Sequence, residues 1–102
     1  MKESMQGAIR RGNIVWRMHC LSRLAERGIL QNQVLDVLRN GEEVERYEES
    51  KPFPCALFLG FPEGKPVHVV AAFDNASDAV HIITVYEPDE EHFEPDYRTR
   101  RK

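Results

Sequence analysis

The chain has 102 residues, 41% of them hydrophobic and 30% charged, the profile of one small domain. A chain of this length buries only about two-thirds of the surface it exposes when unfolded, so it builds one core and has no room for a nucleotide-binding domain beside a substrate domain. Fourteen basic against seventeen acidic residues give a net charge of −3, which excludes a protein that coats nucleic acid over its whole surface.

In chain order, residues 1–13 suggest no more than a frayed helical turn. Ile14-Val15-Trp16 reads either as an edge strand or as the hydrophobic lead-in to a helix. Between Trp16 and Gly28 the apolar residues Met18, Leu21, Leu24 and Ala25 recur at helical spacing, and Gly28 stands where glycine commonly ends a helix. Val34, Leu35, Val37 and Leu38 mark a second helix that stops at Asn40-Gly41, and the two predict a short helical hairpin. Glu42 to Lys51 is crowded with acid, and only Val44, Arg46 and Tyr47 hint at a short exposed strand. From Pro52 onward, Cys55 to Phe61, Val67 to Phe73 and Val80 to Tyr86 are rich in β-branched and aromatic residues. Turn signals at Pro62-Glu63-Gly64-Lys65 and at Asp74 to Asp78 join these runs so closely that antiparallel hairpins are expected. Residues 88–102 read as an irregular tail, acidic at Asp89-Glu90-Glu91-His92 and basic from Arg98 to Lys102. The expected fold is a single α+β domain over 1–102, with two N-terminal helices packed on a three- to four-stranded antiparallel β-meander.

Cys20 and Cys55 are far apart and no C-x-x-C occurs, so both read as structural cysteines of a reduced, cytoplasmic protein. Met1 to Gln6 lacks the apolar core of a signal peptide, and the apolar runs are too short to span a bilayer, so neither secretion nor a membrane partner is expected.

His19, Arg23 and Arg27 are spaced by four residues and line one helix face, drifting about 40° per step. Solvated charges on a surface helix explain that spacing equally well. The content points further: a titrating imidazole beside two fixed cations suits an anionic phosphodiester. His68 and His81 each lie on the strand face opposite their flanking valines. With Phe73 opposite Val80 the two histidines are about 13 Å apart, too far to share a metal ion. A satisfied buried histidine is the commoner explanation for each, and no metal or other cofactor is implied. By simple alternation Thr84 and Tyr86 fall in line with Val80 and Ile82, where Tyr86 either caps the core or offers its hydroxyl to a phosphate at the sheet rim.

The run from His19 through Arg23 and Arg27-Gly28-Ile29 to Asn40-Gly41-Glu42, with Pro66-Val67-His68-Val69-Val70 and Ile83-Thr84-Val85-Tyr86-Glu87-Pro88, resembles small bacterial proteins grouped as a domain of unknown function. The likeness covers nearly all of the chain after Val15, with Cys20 where a small residue such as alanine is usual. That family is distantly similar to RelE-like and BrnT-like toxins, whose α+β fold cleaves RNA without metal, and its members often neighbour zinc-finger antitoxins. The resemblance implies a RelE-like toxin architecture and a metal-independent endoribonuclease, the toxin of a toxin–antitoxin pair, with His19, Arg23, Arg27, His68 and Tyr86 as catalytic residues and RNA and an antitoxin protein as partners. In such a reaction His19 or His68 would take the proton of a ribose 2′-hydroxyl, Arg23 and Arg27 would stabilise the phosphorane charge, and Tyr86 would donate to the phosphate or the leaving oxygen. The alternative is a non-catalytic module that docks a protein or nucleic acid on the same helix face.

The net charge of −3 conceals unlike parts. Residues 1–39 sum to +4, residues 40–97 to −11 and residues 98–102 to +4. An anionic partner therefore fits the helices and the tail, while the acidic middle suits a basic segment of another chain.

Overall fold

A computed structural model describes residues 2–89 and 95–98. The expected tail residues 90–94 and 99–102 lie outside the described residues. The elements are α1 (Lys2–Arg11), β1 (Ile14–Trp16), α2 (Met18–Arg27), α3 (Gln31–Asn40), β2 (Glu42–Tyr47), β3 (Cys55–Gly60), a 3-10 turn at Pro62–Gly64, β4 (Val67–Asp74) and β5 (Ala79–Tyr86). The fold is α+β as expected in outline, with three α-helices rather than two among the described residues and a mixed sheet of five described strands in the order β1-β5-β4-β3-β2.

The N-terminal residues form a ten-residue helix, not a frayed turn. Its apolar stripe is only Met5, Ala8 and Ile9, too short to stand out among charged neighbours, yet all three are buried in the core. β1 is an edge strand, and it corrects the expectation of a purely antiparallel meander. β2 to β5 pair antiparallel in sequence order, whereas β1 lies parallel to β5 with Ile14 opposite Val80. The helices do not pack chiefly as a hairpin either. α2 lies on β5, α3 lies on β3 and β4, and α1 contacts both β5 and α3.

One sheet face carries Ala56, Phe58, Val69, Ala71, Phe73, Val80, Ile82 and Val85 into the core shared with the helices. Strand alternation puts Leu57, Leu59, His68 and Ala72 on the other face, and these too are buried. A bulge interrupts β5: Val70 faces Thr84 while Ala71 faces Ile82, which leaves Ile83 as the extra residue. Beyond Ile83 every side chain of β5 changes face relative to simple alternation.

Gly28 ends α2 in the left-handed conformation, φ 67°, as its position suggested. Gly41 serves a different purpose. Its φ is −82°, open to any residue, but a Cβ there would meet the carbonyl oxygens of Val37 and Leu59, the latter at 2.5 Å. The last turn of α3 and the end of β3 thus approach backbone to backbone. No helix among the described residues is long and apolar enough to cross a membrane.

Candidate functional site

The helical drift decides what each residue of the basic stripe on α2 does. Cys20 and Leu24 are buried, while Met18 is 80% exposed, so the core-facing arc lies to one side of the stripe that hydrophobicity alone suggests. Counting about 100° per residue from Cys20, His19 lies well to one side, Arg23 closer, and Arg27 almost in line with Cys20. Arg27 therefore leans over the sheet instead of opposing the apolar stripe, and its Nη1 donates to the Val85 carbonyl oxygen. β1 pairs only with Val80 to Ile82, so the guanidinium docks beside the part of β5 that β1 does not cover. Its charge also reaches Cys20, whose thiol is pushed up by burial and only partly drawn back by Arg27. That thiol is a core group rather than a nucleophile.

His19 and Arg23 are exposed and make no side-chain hydrogen bond or ion pair among the described residues. Arg27, Tyr86 and Glu87 line one shallow, open pocket. The structure thus brings Arg27 to Tyr86 and leaves His19 and Arg23 outside, on the same helix.

His68 has no exposed surface. Its strand partner is Tyr86, a correction to the sequence placement: the Ile83 bulge moves Tyr86 from the face of Val80 and Ile82 onto that of His68. The rings meet edge to face, 5.2 Å between centroids at 75°. His68 Nδ1 lies 3.1 Å from the Tyr86 hydroxyl, and Nε2 lies 2.7 Å from the Tyr97 carbonyl oxygen. A carbonyl can only accept, so the Nε2 proton points to Tyr97; in the neutral ring Nδ1 then accepts the phenolic hydrogen bond. His68 has no surface of its own, and among the described residues the side chain that links it to a pocket is Tyr86.

Tyr97 carried no signal in the sequence, because an irregular tail gives no period from which to place a backbone oxygen. It belongs to a row that crosses the sheet. Tyr86, His68, Leu59 and Glu42 are successive register partners on β5, β4, β3 and β2, and the tail meets this row at His68 through Tyr97 and at Glu42 through Arg98. Arg98 Nε and Nη2 lie 2.8 and 2.7 Å from Glu42 Oε1. The hydrogen bond from Arg98 holds the Glu42 carboxyl below its usual range. A carboxyl lowered in this way contributes above its ordinary value, about 4.3, and the contribution is lost as pH falls through the lowered value. The Arg98 Nε–H resonance is therefore expected to be constant near neutrality and to shift on acidification below the ordinary carboxylate range. In Glu42→Gln that shift should be much smaller, leaving the weaker influence of Asp96.

His81 faces Ala72 on the side of His68, stacks on Phe53 at 5.4 Å and lies 3.4 Å from Arg17 Nη2 through its Nδ1. Among the described residues no three His, Cys, Asp or Glu side chains are placed to hold a metal ion.

Neither a search of curated proteins nor one of solved structures found a match. The model of a family described as a domain of unknown function (DUF4258) matches residues 16–87, a span that holds all five candidate residues from His19 to Tyr86 and leaves out α1 and the tail. The chain belongs to that family of domains of unknown function.

Proposed function

We propose that the domain is a metal-independent endoribonuclease, the toxin of a toxin–antitoxin pair, with its reacting centre at Tyr86 and Arg27. The observation that carries this reading is the Tyr86 phenol, hydrogen-bonded to a buried imidazole that a backbone carbonyl orients, at the edge of an open pocket that also holds a guanidinium. A base oriented by a third group is the arrangement that activates a weak hydroxyl. The resemblance to RelE-like and BrnT-like toxins expected from the sequence points the same way.

As a ribose 2′-oxygen attacks the adjacent phosphorus, its proton passes to the Tyr86 oxygen and the phenolic proton passes to His68 Nδ1. Arg27 faces the charge that gathers on the phosphorane oxygens. The bond to the 5′ oxygen breaks, that oxygen takes a proton from solvent, and a 2′,3′-cyclic phosphate and a 5′-hydroxyl result. His68 is thus a positioning and proton-accepting residue behind Tyr86 rather than the base that touches RNA. His19 and Arg23 hold flanking phosphates on the exposed face of α2.

The test is expression in a bacterial host together with cleavage of RNA by the purified chain in a chelator. Wild type is expected to stop growth unless the antitoxin is co-expressed, and to leave cyclic phosphate ends. Arg27→Ala should lose about a hundredfold in rate, whereas His19→Ala and Arg23→Ala should mainly raise the RNA concentration required and flatten its salt dependence. A wild-type chain that neither slows growth nor cuts RNA overturns the reading. The exposure of His19 and Arg23, which have no side-chain partner among the described residues, favours a second reading, a non-catalytic module for an anionic partner, which predicts binding that Arg23→Ala weakens and no cleavage at all.

A further inference from the structure

A second cleft, of about 150 Å³, opens next to the pocket of Arg27 and Tyr86, between the α2–α3 turn, the 3-10 turn and the end of β5. Glu87 lines both cavities, and Arg27 and Gly28, one in each, are chain neighbours. The rim is polar, formed by Gln33, Glu63, Lys65 and Glu87, over apolar walls from Ile29 and Val67. Two exposed carboxylates beside Arg27 disfavour an RNA backbone in this cleft and suit instead a ligand that donates hydrogen bonds.

We propose that this cleft is the subsite for the base on the 5′ side of the scissile phosphate, and that it selects guanine. The inference rests on the ribonuclease reading above. Unstacked RNA bases are read on their hydrogen-bonding edges by side chains of matching polarity. Guanine alone among the four bases presents two adjacent donors, N1–H and N2–H2, to a carboxylate, and carries the acceptors O6 and N7 on the adjoining edge. The cleft offers both polarities. Glu63 and Glu87 supply acceptors, and Lys65 supplies donors. The side chain of Gln33 is already turned, because its Oε1 accepts from the Leu30 N–H at 2.8 Å, which leaves its amide N–H groups as donors. Glu63 is held in the left-handed region, φ 56°, a conformation a residue with a side chain adopts at a cost that tends to be kept where a site requires it. Adenine and cytosine would set an acceptor against the carboxylate beside their single amino group. Uracil has one donor between two acceptors.

The test is an NMR titration of the ¹⁵N-labelled full chain with guanosine 3′-monophosphate and its adenosine, cytidine and uridine counterparts. The guanosine nucleotide is expected to bind about tenfold tighter than the others, with shifts centred on residues 28–33, 62–65 and 87. Glu63→Gln should bring the four affinities within about threefold of one another, and the sequence preference of cleavage should relax in step. Equal binding of the four nucleotides, shifts elsewhere, or a preference that survives in both Glu63→Gln and Glu87→Gln overturns the subsite. RNA cleavage without guanine preference leaves the ribonuclease reading standing alone; selective guanosine binding without any cleavage leaves the subsite and removes the ribonuclease.

Discussion

Gly41→Ala is expected to destabilise the domain by about 3 kcal/mol or more and to lower its melting point by roughly 12–20 °C. The penalty is not conformational, since φ at Gly41 is −82°. It comes from a methyl group placed against the Val37 and Leu59 carbonyl oxygens, two backbone atoms that cannot turn aside as a side chain can. To relieve the clash α3 must lift from the end of β3, where Gly60 also lies close under Val37: a Cβ there would be 2.9 Å from Val37 Cγ2. Gly28→Ala is the contrasting control. Its left-handed φ disfavours a side chain, but nothing lies within 4 Å of a Cβ there, so a loss of about 1 kcal/mol is expected. Thermal unfolding of the two variants, measured side by side, separates close approach from backbone conformation. Equal effects would sink the distinction.

His68→Ala should cost about 3 kcal/mol, because it empties a fully buried site and strips the Tyr86 hydroxyl and the Tyr97 carbonyl of the same partner. Tyr86→Phe keeps the ring packed and loses the hydrogen bond to His68, about 1 kcal/mol. In cleavage the order is reversed in meaning. Tyr86→Phe should lose about 10²–10³-fold while remaining folded, because in the proposed reaction the phenol is the group that meets RNA. Denaturant melts and cleavage rates on both variants check this, and a Tyr86→Phe protein that cuts RNA at the wild-type rate places the chemistry elsewhere.

How much of this was legible in the sequence depended on whether a signal was periodic. α2, α3 and the strands β3 to β5 were legible because their apolar residues recur at 3.6 or at 2. The hairpins were legible from Pro62 to Lys65 and Asp74 to Asp78. α1 was not, since three buried residues among charged ones leave no contrast. Tyr86 was named as a candidate but put on the wrong face, because a bulge of one residue reverses alternation without leaving a mark in composition. The stripe of His19, Arg23 and Arg27 was correctly placed on one helix. Its drift, which carries only Arg27 to β5, needed the helix's orientation on the sheet. Asn40-Gly41 looked like any glycine helix end, and only the distance to β3 shows that it is a contact.

The parallel pairing of β1 with β5 sets a condition on synthesis. Ile14 meets Val80, 66 residues later in the chain, so β1 leaves the ribosome and waits there for β5. Contacts of such long range slow folding and oblige the loop between them to close first. Until β5 emerges, β1 and one edge of β4 lack their strand partner, which makes the nascent chain a substrate for chaperones. Tyr86 ends that last strand. The domain therefore completes its sheet and its candidate site in the same closing step, and a ribosome stalled short of β5 would carry only the β2–β4 part of the sheet.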